Sequence, residues 1–240
     1  MNKLILLVLK FFDFFQQRKI LKFLKSKKII FDIFFDVGAH HGETIKIYTK
    51  NFDIKNMYCF EASSTNFLNL KKKINRIKFK ETNLILENYA LGANKANTQM
   101  KQMIESSSST INEINLDSKY FKKKKKLLLR SKNDNFFKMI NVQQITLKDY
   151  MIEKNINKID FLKIDTEGYE FEILKGADNF LEKIQFLILE HHYHDMIKKN
   201  YKYQDINNLL KKFNFKKIYK AKMFFRKTFE YIYENQGFLK

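Results

Sequence analysis

From residue 29 onward, apolar runs of strand length alternate with polar segments of helical spacing. Ile29 to Val37 reads as a buried strand, Glu43 to Lys50 as a helix, Met57 to Phe60 as a second strand and Ser64 to Ile77 as a second helix. Leu84 to Leu86 supplies a third strand. Ile159 to Ile164 and Phe186 to Leu189 are two more, separated by a helical segment, Phe171 to Leu181, that Gly176 is placed to end. Regular alternation of this kind marks parallel βαβ units. It predicts an α/β fold: a Rossmann-like, mostly parallel sheet with helices on both faces. The end of the chain differs in kind. Ile206 to Phe213 reads as a helix, and Phe215 to Tyr219 with Thr228 to Tyr233 as a C-terminal antiparallel strand pair.

Two segments stand apart from this pattern. Residues 1–28 form an N-terminal helical extension to a domain spanning 29–240. In it, Leu4, Val8, Phe11, Phe15, Leu21 and Leu24 share one helical stripe, with Arg18, Lys19, Lys22 and Lys25 elsewhere. Such a helix either covers the edge of the domain or lies at a membrane interface. Lys10 and Asp13 interrupt its apolar run, and nothing in the chain approaches the roughly 20 apolar residues of a spanning helix. A secretory signal is disfavoured because no small-residue cleavage site precedes the lysines from Lys22 to Lys28. The second segment is a lysine-rich insertion near 112–138, preceded by the polar run Ser106 to Thr110 and containing Lys122 to Lys126. It is expected to be a solvated loop, or else a lid or docking arm for an anionic acceptor.

Composition narrows the picture in one respect and loosens it in another. With 240 residues, 45% of them hydrophobic, one core-burying domain is expected. The formal charge of +20, from 46 Lys and Arg against 26 Asp and Glu, would ordinarily suggest a polyanionic partner. The chain also lacks Pro and Trp, has 6 Gly, and is crowded with Lys, Asn, Ile, Phe and Tyr, all residues of A/T-dominated codons. Coding bias accounts for much of the charge, so no specific nucleic-acid partner is expected. Cys59, the one cysteine, cannot build a disulfide framework. A cytoplasmic setting fits best, possibly at the inner face of a membrane through the N-terminal helix.

Candidate chemistry gathers where strands turn into helices. Asp36-Val37-Gly38-Ala39-His40-His41-Gly42 closes the first strand, and a glycine there lets backbone amides approach a ligand in the crevice beyond the strand ends. The spacing is not the dinucleotide fingerprint, because Asp36 and His41 stand where that pattern needs glycine. A strand-end carboxylate repels pyrophosphate and attracts a cation. Glu61 ends the second strand, where its carboxylate can take both hydroxyls of a ribose. Together these favour S-adenosylmethionine, which carries a sulfonium, an ammonium and no phosphate, over NAD.

Two further clusters follow. Asp165-Thr166-Glu167-Gly168 comes directly after a predicted central strand, where Asp165 or Thr166 could also simply cap the next helix. Glu190-His191-His192-Tyr193-His194 follows the next strand. A strand-end histidine there suits three roles: a general base, a metal ligand beside Asp165 or Glu167, or a polar residue facing water. Metal is the least favoured of the three, and no metal ligand is assigned.

At these residues the chain resembles the FkbM-type methyltransferase family. The likeness rests on FFDVGAHHGET, YCFEAS, ENYALG, IDFLKIDTEGYEFEILKGA and LILEHH in that order, covering roughly Ile29 to His194. It implies a class I S-adenosylmethionine-dependent methyltransferase fold, usually acting on oxygen in sugars, polysaccharides or secondary metabolites. It further implies that Asp36, Gly38 and Gly42 lie at the methionine portion, Glu61 at the ribose, Asn88 near the adenine and Asp165 near the transferring methyl, with His40 also among the cofactor-binding residues. The family usually has Asn at the position of His40. The expected reaction is methyl transfer to a hydroxyl of a small-molecule or glycan acceptor, with His191 or Glu167 as base and Asp165 holding the cofactor's ammonium or orienting the acceptor. Two rivals are an RNA methyltransferase gripping phosphates with Lys122 to Lys126 and a non-catalytic membrane-surface binding module.

Overall fold

A computed structural model of the chain describes residues 2–77, 79, 81–128 and 136–238, with the side chains of 2–11 and 127–128 left aside. The first half runs α1 (Asn2–Ser26), β1 (Phe31–Val37), α2 (Glu43–Asn51), β2 (Ile54–Phe60), α3 (Ser64–Ile74), β3 (Asn83–Glu87), β4 (Ala90–Leu91), β5 (Ala96–Met103), β6 (Glu113–Ile114) and α4 (Lys119–Leu128). The second half runs β7 (Phe137–Ile145), α5 (Leu147–Glu153), β8 (Ile159–Ile164), α6 (Glu170–Ala177), a tight helical turn at Asp178–Lys183, β9 (Ile184–His192), β10 (Ile197–Lys198), α7 (Tyr203–Lys212), β11 (Phe215–Lys222) and β12 (Thr228–Asn235).

Seven strands form the central sheet in the order β11-β12-β9-β8-β1-β2-β3. The five from β9 to β3 are mutually parallel, whereas β12 is antiparallel to both β9 and β11, so the expected closing pair is present. The chain order reverses between β1 and β8, which opens a crevice at their carboxyl ends. Alternation along the strands divides the core into two layers. Phe35, Val37, Leu162, Ile164, Leu187 and Leu189 pack with residues of α5, α6 and α7, while Phe34, Met57, Cys59, Phe161 and Ile188 pack with α1, α2 and α3. Every residue of β8 is buried, as befits a parallel strand covered on both faces.

Several expectations are corrected. The lysine run is helical: α4 is anchored by buried Phe121, whose ring meets Phe136 at 5.2 Å, while Lys122, Lys123 and Lys126 are exposed. The insertion is an excursion between β5 and β7, which pair antiparallel from Ala96 with Gln144 to Met103 with Phe137. Residues 129–135 of it lie outside the described residues. Gly176 sits within α6 rather than ending it. A Cβ there would come within 1.9 Å of the Gly92 carbonyl oxygen, so close backbone approach explains the glycine. Asp178 ends the helix instead, at φ 48°. In α1, Ile20, Leu21 and Leu24 join the core, but Phe15 is 42% exposed and so leaves the predicted stripe. Leu4, Val8 and Phe11 of that stripe lie outside the described side chains. Among the described residues, no helix is long and apolar enough to cross a membrane.

Candidate active site

A cleft opens at the carboxyl ends of β1, β2 and β8. Gly38, His40, Glu61, Asp165 and Glu167 line it, together with Phe60, Ala62, Tyr89, Leu91 and the segment from Ser106 to Ile111. Its charged lining is therefore acidic, and among the described residues no Lys or Arg lines it.

The loop after β1 is held close to the loop after β8. A Cβ on Gly38, at φ 89°, would stand 2.0 Å from the Asp165 carbonyl oxygen, so only glycine permits the contact. His40 is also left-handed, at φ 47°, and its backbone N–H donates to Glu61 Oε2 at 2.8 Å. Its Nε2 lies 2.7 Å from the Ser106 hydroxyl, tying the insertion to the cleft. Gly42 does not reach the cleft: a Cβ there would meet Leu70 at 2.9 Å, so it is a packing position. Asp36 does not line the cleft either, because strand alternation turns it to the face opposite Val37. It is fully buried and neither carboxylate oxygen has a hydrogen-bond partner. Lys163 Nζ stands 3.6 Å away, and burial pushes the carboxyl up to about 6 against that pull.

At the end of β2, the Glu61 carboxylate accepts from the backbone N–H groups of His40 and Ser63 and from Asn66 Nδ2 at 3.4 Å. Burial raises its pKa while these donors lower it. Asn88 does not line the cleft. Its Nδ2 donates to the carbonyls of Glu61 at 2.7 Å and Ala62 at 3.1 Å, which fixes the backbone beneath the carboxylate.

Neither Asp165 nor Thr166 caps α6. The N-cap is Tyr169, which makes no side-chain cap bond; Glu170 instead ties the loop to the helix, its Oε1 accepting from Thr166 N–H, the Thr166 hydroxyl and Gly168 N–H. Asp165 and Glu167 are thereby left facing the cleft. Lys163 donates to Asp165 Oδ2 at 3.2 Å; burial raises the Asp165 carboxyl, but Lys163 outweighs it and holds the pKa below the usual range. Glu167 has no such neighbour, and burial pushes it up to about 7. Its carboxylate lies 3.1 Å from His192 Nε2, which is also 3.6 Å from Glu190 Oε1. His192 Nδ1 meets the Thr228 hydroxyl at 3.1 Å.

His191 is not part of this arrangement. Its ring is buried against Tyr193, Tyr201 and Tyr203, its Nδ1 has no partner, and burial lowers its pKa to about 3. A shift of one residue along a strand exchanges the two faces, and it is His192 that turns toward Glu167. Elsewhere, ligand atoms of His40, His41 and Glu43 lie within 4.8 Å of one another. The two rings stack at 3.8 Å, so their in-plane lone pairs do not converge on one ion.

The profile of the FkbM methyltransferase domain matches residues 36–217. The chain belongs to the FkbM methyltransferase family. No curated protein matches the sequence significantly. Among solved structures, the chain is similar to the methyltransferase FkbM from Methylobacillus flagellatus KT (16% identity, TM-score 0.52), covering 85% of this chain and 44% of that one. This chain thus spans less than half of that relative's length. It is also similar to magnesium protoporphyrin IX methyltransferase from Synechocystis PCC 6803 with bound SAM (11% identity, TM-score 0.53, 92% and 79% coverage). A third is a putative rRNA-methylase from Clostridium thermocellum (7% identity, TM-score 0.51, 91% and 94% coverage). These likenesses establish the class I methyltransferase fold. Within this FkbM-family chain, His40 is among the residue types that tolerate the left-handed region it adopts. Sequence reasoning missed His192, Lys163 and Glu170. Their signal was strand and helix phase, which places Glu190 and His192 on one face and Glu170 one turn from the loop it wraps.

Proposed function

We propose that the protein transfers a methyl group from S-adenosylmethionine to a hydroxyl of a sugar, polysaccharide precursor or secondary metabolite. The observation that carries this is the lining of the cleft: three carboxylates and no Lys or Arg among the described residues. Such a lining suits a cationic, phosphate-free cofactor and disfavours a pyrophosphate. Glu61 would hold the ribose. A carboxylate offers about four acceptor positions, and three donors already orient this one, leaving room for a hydroxyl. Gly38 and His40 would border the methionine portion, with Ala62, Tyr89 and Leu91 supplying apolar walls for the base. Asp165, held ionised by Lys163, would face the ammonium, and Asp36 would act through Lys163. Asn88 would position Glu61.

When bound, the cofactor supplies a methyl carbon made electrophilic by the adjacent sulfonium. The acceptor's hydroxyl would need to lose its proton as the bond forms, and Glu167, which lines the cleft, would take it. A carboxyl near pH 7 is matched to that task, and such a base contributes about 10²- to 10⁴-fold. His192, whose Nε2 lies 3.1 Å away without hydrogen-bond alignment and whose burial favours the neutral ring, would border that side of the carboxylate. The test is incubation with methyl-labelled S-adenosylmethionine and two acceptor pools, glycans and RNA. Label in the glycan pool, lost in Glu167→Gln, is expected; label confined to RNA would reject the acceptor assignment.

A further inference from the structure

Three phenylalanines from distant parts of the chain meet at one surface, and more aromatic area is exposed nearby on α1. Phe12 of α1 packs against Phe224 and Phe225 in the turn between β11 and β12, with centroids 5.0 and 5.1 Å apart. Phe14, two residues on and so round the helix from Phe12, meets Phe15 at 5.8 Å and lies under the Arg18 guanidinium at 5.5 Å. Phe225 is 75% exposed, Phe14 56% and Phe224 40%. A soluble surface does not ordinarily gather so much aromatic area. The aspartate within the patch, Asp13, is consumed by Arg226 at 2.9 Å. Arg18, Lys19 and Lys22 further along the same helix, and Lys222 and Lys227 flanking the β11–β12 turn, are exposed. The sequence of α1 ahead of the patch continues apolar from Leu4 to Leu9.

We propose that this patch seats the protein on the surface of a bilayer containing anionic phospholipid. Aromatic rings enter the interface and the surrounding cations meet the headgroups, the two contributions that interfacial helices combine. The paired Asp13 leaves the field positive, which is why an anionic bilayer fits better than a second copy of this equally basic chain. The site also lies next to the chemistry. Gln16, one turn from Phe12, donates to Glu230 at 2.6 Å, and Glu230 pairs across the sheet with Glu190, whose carboxylate lies 3.6 Å from His192. On the methyl-transfer reading, on which this consequence rests, the acceptor end of the cleft is held at the membrane and the acceptor is an amphipathic, membrane-anchored hydroxyl compound.

The full chain is sedimented with vesicles of phosphatidylcholine alone or with phosphatidylglycerol, without cofactor. Binding to the anionic vesicles, weakening as salt rises, is expected. Both Phe14→Ser/Phe225→Ser and Arg18→Glu/Lys22→Glu should weaken it by at least tenfold at unchanged circular dichroism, since all four side chains are exposed. Absence of binding by the wild type overturns the proposal, as does equal binding by the Ser variant, which would assign the affinity to dispersed lysines. A dimer by light scattering that the Ser variant abolishes, with no vesicle binding, overturns it too and gives the patch to a second copy. Because no cofactor is present, failure of the methyl-transfer reading leaves these outcomes unchanged.

Discussion

Replacing Glu167 by Gln preserves the shape of the side chain and removes its charge at every pH. Burial lifts the Glu167 carboxyl from 4.5 to about 7, Lys124 opposing and Asp165 and Glu105 adding to the effect. The folded protein therefore holds a proton that the unfolded chain releases near pH 4.5. Stability linked to that proton is fully present below the unfolded value and is lost as pH rises through 7. Two and a half pH units, at about 1.36 kcal/mol each, make this loss about 3 kcal/mol at alkaline pH. Glu167→Gln escapes it. For a domain of this size the variant should melt about 6–12 °C higher than the wild type at pH 8.5, the gap closing toward pH 5. Methyl transfer should meanwhile fall by about 10²- to 10⁴-fold, and the wild-type rate should climb through pH 7 while the residual rate of the variant stays flat. Calorimetric melting at the two pH values and a pH-rate profile measure both effects. A variant with full turnover, or with a melting difference independent of pH, refutes the reasoning.

Other consequences are as direct. His191→Phe should keep turnover within about twofold, because the ring is enclosed by tyrosines and its unpartnered nitrogen does not line the cleft; a loss like that of a general base, tenfold or more, would restore it as one. Gly176→Ala should destabilise by about 3 kcal/mol in urea unfolding, since its Cβ would meet the Gly92 backbone at 1.9 Å; a loss below about 1 kcal/mol would mean that the two segments separate easily. RNA should bind no tighter than about 10⁻⁶ M at physiological salt. Nanomolar binding of a structured RNA, abolished when Lys122 to Lys126 become Ser, would favour an RNA acceptor.

The central sheet was legible where burial is two-sided. β8 was read to the residue because Ile159 to Ile164 is covered on both faces and carries an unbroken apolar signal apart from Asp160 and Lys163. β2 was read three residues short, since Lys55 and Asn56 blur its start. The small sheet of β4, β5 and β7 went unseen: β5 and β7 are polar, half-exposed strands, and their pairing spans the whole insertion. Lys122 to Lys126 gave no periodicity, because identical residues have no hydrophobic phase; Phe121 supplies the anchor. Gly38, Glu61, Asp165 and Glu167 were visible because strand ends converge on one edge of such a sheet. Asp36 and His191 do not line the cleft, and position in the chain alone does not tell which strand face each residue takes.

Calorimetric titration with S-adenosylmethionine, run on the wild type and on Glu61→Gln, tests the cleft most directly. The wild type should bind one equivalent. Glu61→Gln, which keeps an acceptor oxygen but loses the charge that His40 and Ser63 amides orient, should bind weaker by about 1.5–3 kcal/mol, roughly ten- to 150-fold, while remaining folded. No saturable binding by the wild type, or equal affinity in the two proteins, would contradict the assignment of this cleft to the cofactor.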